Sequence, residues 1–223
     1  MRARHALSLR SLCLALVFGS GAATGAAAGT MPMADMPGMS SLPLRKTVPG
    51  MSAYNVSSPW TTQAGRSIVL SSLRGEPVVM AMVYTHCPDV CPLITERMQV
   101  IEQALPPHAR DAVRFVLVSL DWARDSPSQL AKFAAQHRLD TKRWTLLHGD
   151  EMAVREFANV LGVDFYRNDN GDFQHSIAIF LLDSDGVVRA QQTDMLAPPA
   201  AMTARILKLL GTAGSARQRA QPR

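Results

Sequence analysis

Val78-Val79-Met80-Ala81-Met82-Val83-Tyr84-Thr85-His86-Cys87-Pro88-Asp89-Val90-Cys91-Pro92 is the stretch on which the fold turns. Its first seven residues are an unbroken apolar run, which suits a strand buried on both faces. Beyond the cysteines, Ile94, Met98, Ile101 and Leu105 recur at spacings of four, three and four, one stripe of a helix. Pro106-Pro107 ends that helix. Two cysteines thus stand where a buried strand hands over to a helix. Backbone N–H groups and the helix dipole favour negative charge there, which lowers a thiol's pKa. Pro92 fits a helix start, where no N–H is needed.

On either side of this junction the same grammar continues. Trp60-Thr61-Thr62 and Ser67-Ile68-Val69-Leu70 flank Gln63-Ala64-Gly65-Arg66 and predict an N-terminal β-hairpin. Val113 to Leu120 predicts a buried strand. Ser126-Pro127 is an N-cap followed by a first-turn proline, ahead of Leu130, Phe133, Ala134 and His137 on one face. Trp144 to Leu147 is a short strand. Asp150 caps a helix bearing Val154, Phe157, Val160 and Leu161, stopped by Gly162. Ser176 to Leu182 is an apolar strand, turned by Asp183-Ser184-Asp185-Gly186 into Val187 to Ala190. A last helix carries Met202, Ile206, Leu209 and Leu210, with Gly211 as its expected stop. Alternating strands and helices closed by a hairpin and helix predict an α/β fold. The expected form is a thioredoxin-like sandwich, a mixed central sheet flanked by helices.

The 223 residues suffice for one domain, expected over residues 53–212. The formal charge of +5 is concentrated at the ends, with Arg2, Arg4 and Arg10 at one and Arg217, Arg219 and Arg223 at the other. Without a basic folded face, nucleic acid is excluded as a partner. Residues 213–223 read as a basic flexible tail, and the chain is expected to be monomeric.

Residues 1–28 read as an export signal. A positive start precedes the short apolar run Leu12 to Phe18, and Ala26-Ala27-Ala28 offers a cleavage site. The run is shorter than the roughly 20 residues of a membrane span. An uncleaved anchor continuing into the Ala/Gly stretch, acting as a membrane tether, is the alternative, and a mitochondrial presequence a further one. A lipoprotein signal is disfavoured because Cys13 lies inside the apolar run, after Ser11-Leu12. Residues 29–52 read as a flexible linker rich in Met and Pro, without apolar periodicity.

Removal of the signal removes Cys13 and leaves two cysteines four apart. A disulfide between them closes so small a loop that it stabilises little, so redox or metal chemistry explains the pair better. Dithiol oxidoreductases of the thioredoxin type place two residues between their cysteines; here Pro88, Asp89 and Val90 intervene. The wider loop lets both sulfurs address one soft ion such as copper. Two thiolates leave copper under-coordinated, and His175, in Gln174-His175-Ser176 after the polar loop Arg167 to Asp172, is the candidate third ligand. Taken alone it would be a surface loop histidine. His86 adjoins Cys87 and can tune it, but stays outside the ligand set. Asp89 is a weak oxygen donor for divalent copper. His108 is expected to be exposed, His137 and His148 to pack at edges. Met31, Met33, Met36 and Met39 form a thioether cluster suited to capturing or relaying monovalent copper; chance enrichment of the linker is the alternative.

Tyr84 to Pro92 resembles the signature of the Sco/SenC family. Asp121-Trp122-Ala123-Arg124-Asp125-Ser126-Pro127 resembles its next block, and His175-Ser176 its last. The resemblance spans roughly Trp60 to Leu210. It implies a thioredoxin fold, copper, Cu(I) or Cu(II), on both cysteines and the histidine, and assembly of the binuclear copper centre of cytochrome c oxidase. The implied partners are the copper-accepting subunit of that oxidase and an exported copper donor. The implied place is the bacterial periplasm or the outer face of the inner membrane, with the mitochondrial inner membrane as the alternative. Two positions depart from the family's habit. Gln174 stands where an acid often precedes the histidine, and Asp121-Trp122 replaces Asp-Pro. The expected role is a metallochaperone and not an enzyme. The rival is a thiol–disulfide oxidoreductase that reduces a copper-site partner, with Cys87 and Cys91 forming a redox disulfide. A thiol peroxidase fits less well, since a second cysteine one turn on is unusual there.

Overall fold

The structure, a computed structural model, describes residues 42–47 and 50–220, with side chains as far as 212. Residues 1–28 and the four methionines Met31, Met33, Met36 and Met39 lie outside the described residues.

The elements in order are β1 (Trp60–Thr62), β2 (Ser67–Ile68), β3 (Val78–Val83), α1 (Val90–Ala104), α2 (Pro107–Arg110), β4 (Arg114–Ser119) and α3 (Pro127–Gln136). There follow β5 (Trp144–His148), α4 (Glu151–Leu161), β6 (Phe165–Arg167), β7 (Phe173–His175), β8 (Ile179–Leu182), β9 (Val188–Gln192) and α5 (Ala200–Ala220). One seven-stranded sheet runs β2-β1-β5-β4-β3-β8-β9. β3, β4 and β5 are parallel and joined through α1 and α3; β8, β9, β1 and β2 add antiparallel edges. Every residue of β3 is buried. Phe115 and Trp144, cross-strand partners, stack with centroids 5.0 Å apart. Strands covered on both faces read as continuous apolar runs, which is why the parallel β3 and β4 and the antiparallel β8 stand out in the sequence. This mixed sheet flanked by helices is the expected thioredoxin-like sandwich with its N-terminal hairpin. Ser126 and Asp150 cap α3 and α4 through their side chains, and Gly162 ends α4 in the left-handed conformation.

Four expectations need correction. The N-terminal hairpin is shorter, since Val69 leaves the sheet and Leu70 opens a 3-10 turn, Leu70–Leu73, with Leu70 buried in the core. The expected strand from Ser176 begins only at Ile179, and the polar loop before it is the turn of a separate, unforeseen hairpin, β6–β7. α5 does not stop at Gly211, and the residues expected as a flexible tail are helical to Ala220. Alanine and arginine favour helix strongly enough to carry it past Gly211 and Gly214. Finally, part of the expected flexible linker is fastened to the body. Arg45 N–H donates to Gly162 O at 2.8 Å and Leu42 N–H to His175 O at 3.4 Å. These main-chain bonds leave no trace in apolar periodicity. Among the described residues no helix is long and apolar enough to cross a membrane.

Candidate metal centre

The end of β3 delivers Tyr84, and the chain then bends through Thr85 and His86 so that Cys87 meets the start of α1. Asp89, the N-cap residue, makes no side-chain cap bond. The sulfur of Cys87 takes that place, accepting the Cys91 N–H at 3.4 Å. Cys91 sits one turn on, fully buried, where its sulfur accepts the Tyr84 N–H at 3.5 Å. The two thiols are free and their environments oppose each other. Cys87 is pulled down to about 6 by a hydrogen bond from the Cys91 thiol. Backbone N–H groups of Cys91, Asp89 and Val90 add to this pull, against the cost of its burial. Burial pushes Cys91 well up, and its role as donor to a Cys87 thiolate keeps it protonated. At neutral pH the pair is therefore one thiolate and one thiol.

His175 arrives from the other side, as the last residue of β7. Its ring is almost fully buried, and Nε2 lies 4.0 Å from the Cys91 sulfur, across 84 residues of sequence. Nδ1 stands 2.9 Å from Ser176 O. A carbonyl only accepts, so Nδ1 carries the proton and Nε2 presents its lone pair to the sulfurs. Burial lowers the imidazole's pKa, which keeps it neutral and fit to bind a metal. The one proton on Cys91 can serve Cys87 or His175, but not both at once. Tyr84 packs edge-on against His175 and donates its hydroxyl to Phe173 O at 3.3 Å, so strand end, helix start and β7 meet at one ring. A cleft of about 140 Å³ opens onto Cys87 and His175 between Asp89, Asp172 and Phe173, while Cys91 is buried and does not line it. A larger cleft, about 670 Å³, lies at Arg66, Arg74, Glu76 and Arg114 and contains no thiol or imidazole.

The hairpin that carries His175 stands outside the main sheet and rests on the block Asp121 to Ser126. Trp122 packs edge-on against Phe165 and Phe173, one from each strand of the hairpin. The guanidinium of Arg167 lies over Trp122, 5.6 Å from its centroid. Arg124 pairs with the buried Asp121 and donates to Gly171 O at the hairpin tip at 2.8 Å. The tryptophan at a position where the family favours proline thus buttresses the histidine arm. The other departure also has its account, since the Nδ1 partner is the Ser176 carbonyl and not a carboxylate on residue 174.

His86, Asp121 and Asp125 bring donor atoms within 4.8 Å of one another. Their lone pairs are already engaged. Asp121 faces Arg124 and Arg167. Asp125 accepts from Thr85 and Ser119. These contacts describe a buried polar brace under the cysteine loop. His86 is half-exposed beside Asp125, and His108 is exposed. His137 stacks on Phe133 at the end of α3.

The structure therefore brings Cys87, Cys91 and His175 together. Sequence reasoning overlooked Tyr84, Asp125 and Ser176 as parts of the site. It also missed the β6–β7 hairpin, although Asn170-Gly171 between Phe165-Tyr166-Arg167 and Phe173 is a turn signal of the kind that joins paired strands.

The chain has known relatives. The SCO1/SenC family profile matches residues 51–211. An SCO1 protein homolog of Bacillus subtilis is 32% identical over 129 residues, which cover 56% of this chain and 66% of that protein. Bradyrhizobium japonicum ScoI, solved with copper bound, superposes with a TM-score of 0.58 at 24% identity over 68% of this chain and 96% of that one. BsSco belongs to the Sco family of cytochrome c oxidase assembly proteins, and a disulfide switch has been identified in it. It superposes with a TM-score of 0.58 at 25% identity, over 74% and 96%. With the profile spanning most of its length and the fold shared, this chain belongs to the SCO1/SenC family.

Proposed function

We propose that the chain is a copper metallochaperone. It holds one copper ion on Cys87, Cys91 and His175 and delivers it to the copper-accepting subunit of cytochrome c oxidase. The observation that carries this reading is the approach of His175 Nε2 to Cys91 Sγ at 4.0 Å. Two ligands with bond lengths near those of zinc sites, about 2.3 Å to sulfur and 2.0–2.1 Å to nitrogen, stand about 3.6–3.8 Å apart on a tetrahedral or trigonal ion. The arm needs to move by only a few tenths of an ångström. Thiolates and a neutral imidazole suit both oxidation states of copper. Loading releases the Cys91 proton, since Cys87 is already ionised at neutral pH. The ion enters past Cys87 and His175, and leaves when an acceptor with similar ligands replaces them one by one. An exported donor supplies the copper, at the periplasm or the outer face of the inner membrane. Met31, Met33, Met36 and Met39 are offered as accessory thioethers on that route.

The test is copper binding by the reduced full chain and its single variants, under a competing chelator. One ion per chain is expected, lost in C87A and C91A and held at least tenfold more weakly in H175A. Wild-type affinity in H175A overturns the reading.

A second reading, reduction of a partner's disulfide, is favoured by the asymmetry of the two thiols. The Cys87 thiolate attacks one partner sulfur, the partner's S–S bond breaks, and its leaving thiolate takes a proton. Cys91, no longer donating to a Cys87 thiolate, loses its proton to water and attacks the Cys87 sulfur; the mixed disulfide breaks, the partner's second sulfur leaves and takes a proton, and a Cys87–Cys91 disulfide and a fully reduced partner remain. That activity requires both cysteines and survives H175A.

A further inference from the structure

The ring of His175 is useful only where it is held, and its main chain is gripped from both sides. On one side β6 places Phe165 opposite His175, and Ser176 N–H donates to Asp164 O at 2.9 Å. On the other side lies the docked segment Leu42 to Arg45. Leu42 pairs with Ser176 in a parallel bridge and donates its N–H to His175 O. The Ser176 hydroxyl ties the two sides together, donating to Pro43 O at 2.8 Å and accepting from Asp164 N–H at 3.1 Å. The carbonyl of the same residue holds the Nδ1 proton. At its far end the segment bonds to Gly162, where a Cβ would collide with Arg45 O. The Arg45–Asp164 ion pair spans two half-exposed side chains, and such pairs stabilise by no more than about 1 kcal/mol. Main-chain bonds and one buried hydroxyl therefore fasten the segment.

We propose that Ser176 and the strap Leu42 to Arg45 are positioning residues for the imidazole, so that a segment preceding the sandwich governs how firmly copper is held. The inference rests on His175 being a ligand. Groups that orient a metal-binding histidine from behind typically change affinity by about 10–100-fold when removed.

The experiment uses the full chain loaded with Cu(II) and follows release to excess chelator together with the nitrogen hyperfine pattern in the EPR spectrum. Ser176→Ala removes the hydroxyl, Leu42→Pro removes the N–H, and Ser176→Thr restores a hydroxyl. Alkylation of Cys87 in the apo protein reports on the cysteine loop. The expected result is about tenfold faster release and an altered hyperfine pattern in S176A and L42P. S176T should move back toward wild type, and Cys87 reactivity should stay unchanged throughout. Wild-type release in both S176A and L42P, alongside fast release in H175A, overturns the positioning role and leaves the ligand role standing. Altered Cys87 reactivity in both variants also overturns it, by showing a general loosening. Wild-type release in H175A removes the ligand reading itself.

Discussion

Asp125, wholly buried, accepts both the main-chain N–H of Thr85, at 2.9 Å, and its hydroxyl, at 2.5 Å. The acid that follows β4 thereby fixes the loop that follows β3, two residues before Cys87. Ser119 adds a third donor at 2.7 Å. Asp125→Ala leaves the buried Ser119 hydroxyl and the part-buried Thr85 N–H without this acceptor, at an expected cost of about 2–4 kcal/mol. Urea unfolding of the apo chain measures it; a loss below about 0.5 kcal/mol would show that water or a neighbour takes over.

The two thiols should titrate apart. Cys87 is ionised above about 6, and its thiolate is the alkylating form. The rate of reaction with iodoacetamide should therefore climb as pH rises through about 6 and level off above it, while Cys91 stays silent. The first cause of the low value is the bond from the Cys91 thiol, so Cys91→Ala should move the midpoint upward. A wild-type midpoint near the ordinary thiol value of 9.0 would contradict this account.

Glu102 offers its two oxygens to Trp144 Nε1 and Arg143 Nε, each at 2.8 Å. The indole bond is buried. Trp144→Phe keeps much of the stacking on Phe115 and removes the donor. The expected cost is about 1–3 kcal/mol in chemical denaturation, with copper binding unaffected, because one buried acceptor loses its partner. Copper affinity that falls with stability would tie this corner to the site and break the prediction.

Gly162 has φ +73°, and the space its side chain would need belongs to Arg45 O. Gly162→Ala should cost about 1–2 kcal/mol for the left-handed conformation alone and should also lift the strap. Limited trypsin digestion reads the second effect. Cleavage after Arg45 and Lys46 should be slow in the wild type and several-fold faster in the variant. Equal cleavage rates would mean that the strap stays down despite the added methyl.

Much of this molecule is written in local pattern. The buried parallel strands announce themselves as apolar runs, and Ser126, Asp150 and Gly162 mark helix ends by chemistry that acts within a few residues. Cys87 and Cys91 were legible because helix starts and thiols have a known affinity for each other. His175 was legible as a candidate, but its mounting was not. β6 and β7 are three residues each, too short for a period to emerge. Leu42 reaches His175 by a main-chain bond across 133 positions, and every residue type carries the same N–H. Ser176 works through its hydroxyl and its carbonyl, and nothing in Gln174-His175-Ser176 marks the second. Contacts of this kind depend on where distant backbones lie, and no spacing encodes them.

The histidine arm is a short ribbon clipped to the outside of the main sheet, whereas both cysteines sit where β3 hands over to α1, in the interior of the body. An ion gripped by all three side chains would weld ribbon to interior and, by mass action, favour the folded chain. Cargo and durability then become one quantity. On the proposed copper role, a filled molecule would resist proteases better than an empty one, copper scarcity would shorten the lifetime of the chain, and an acceptor would draw the ion against the stability it lends the fold.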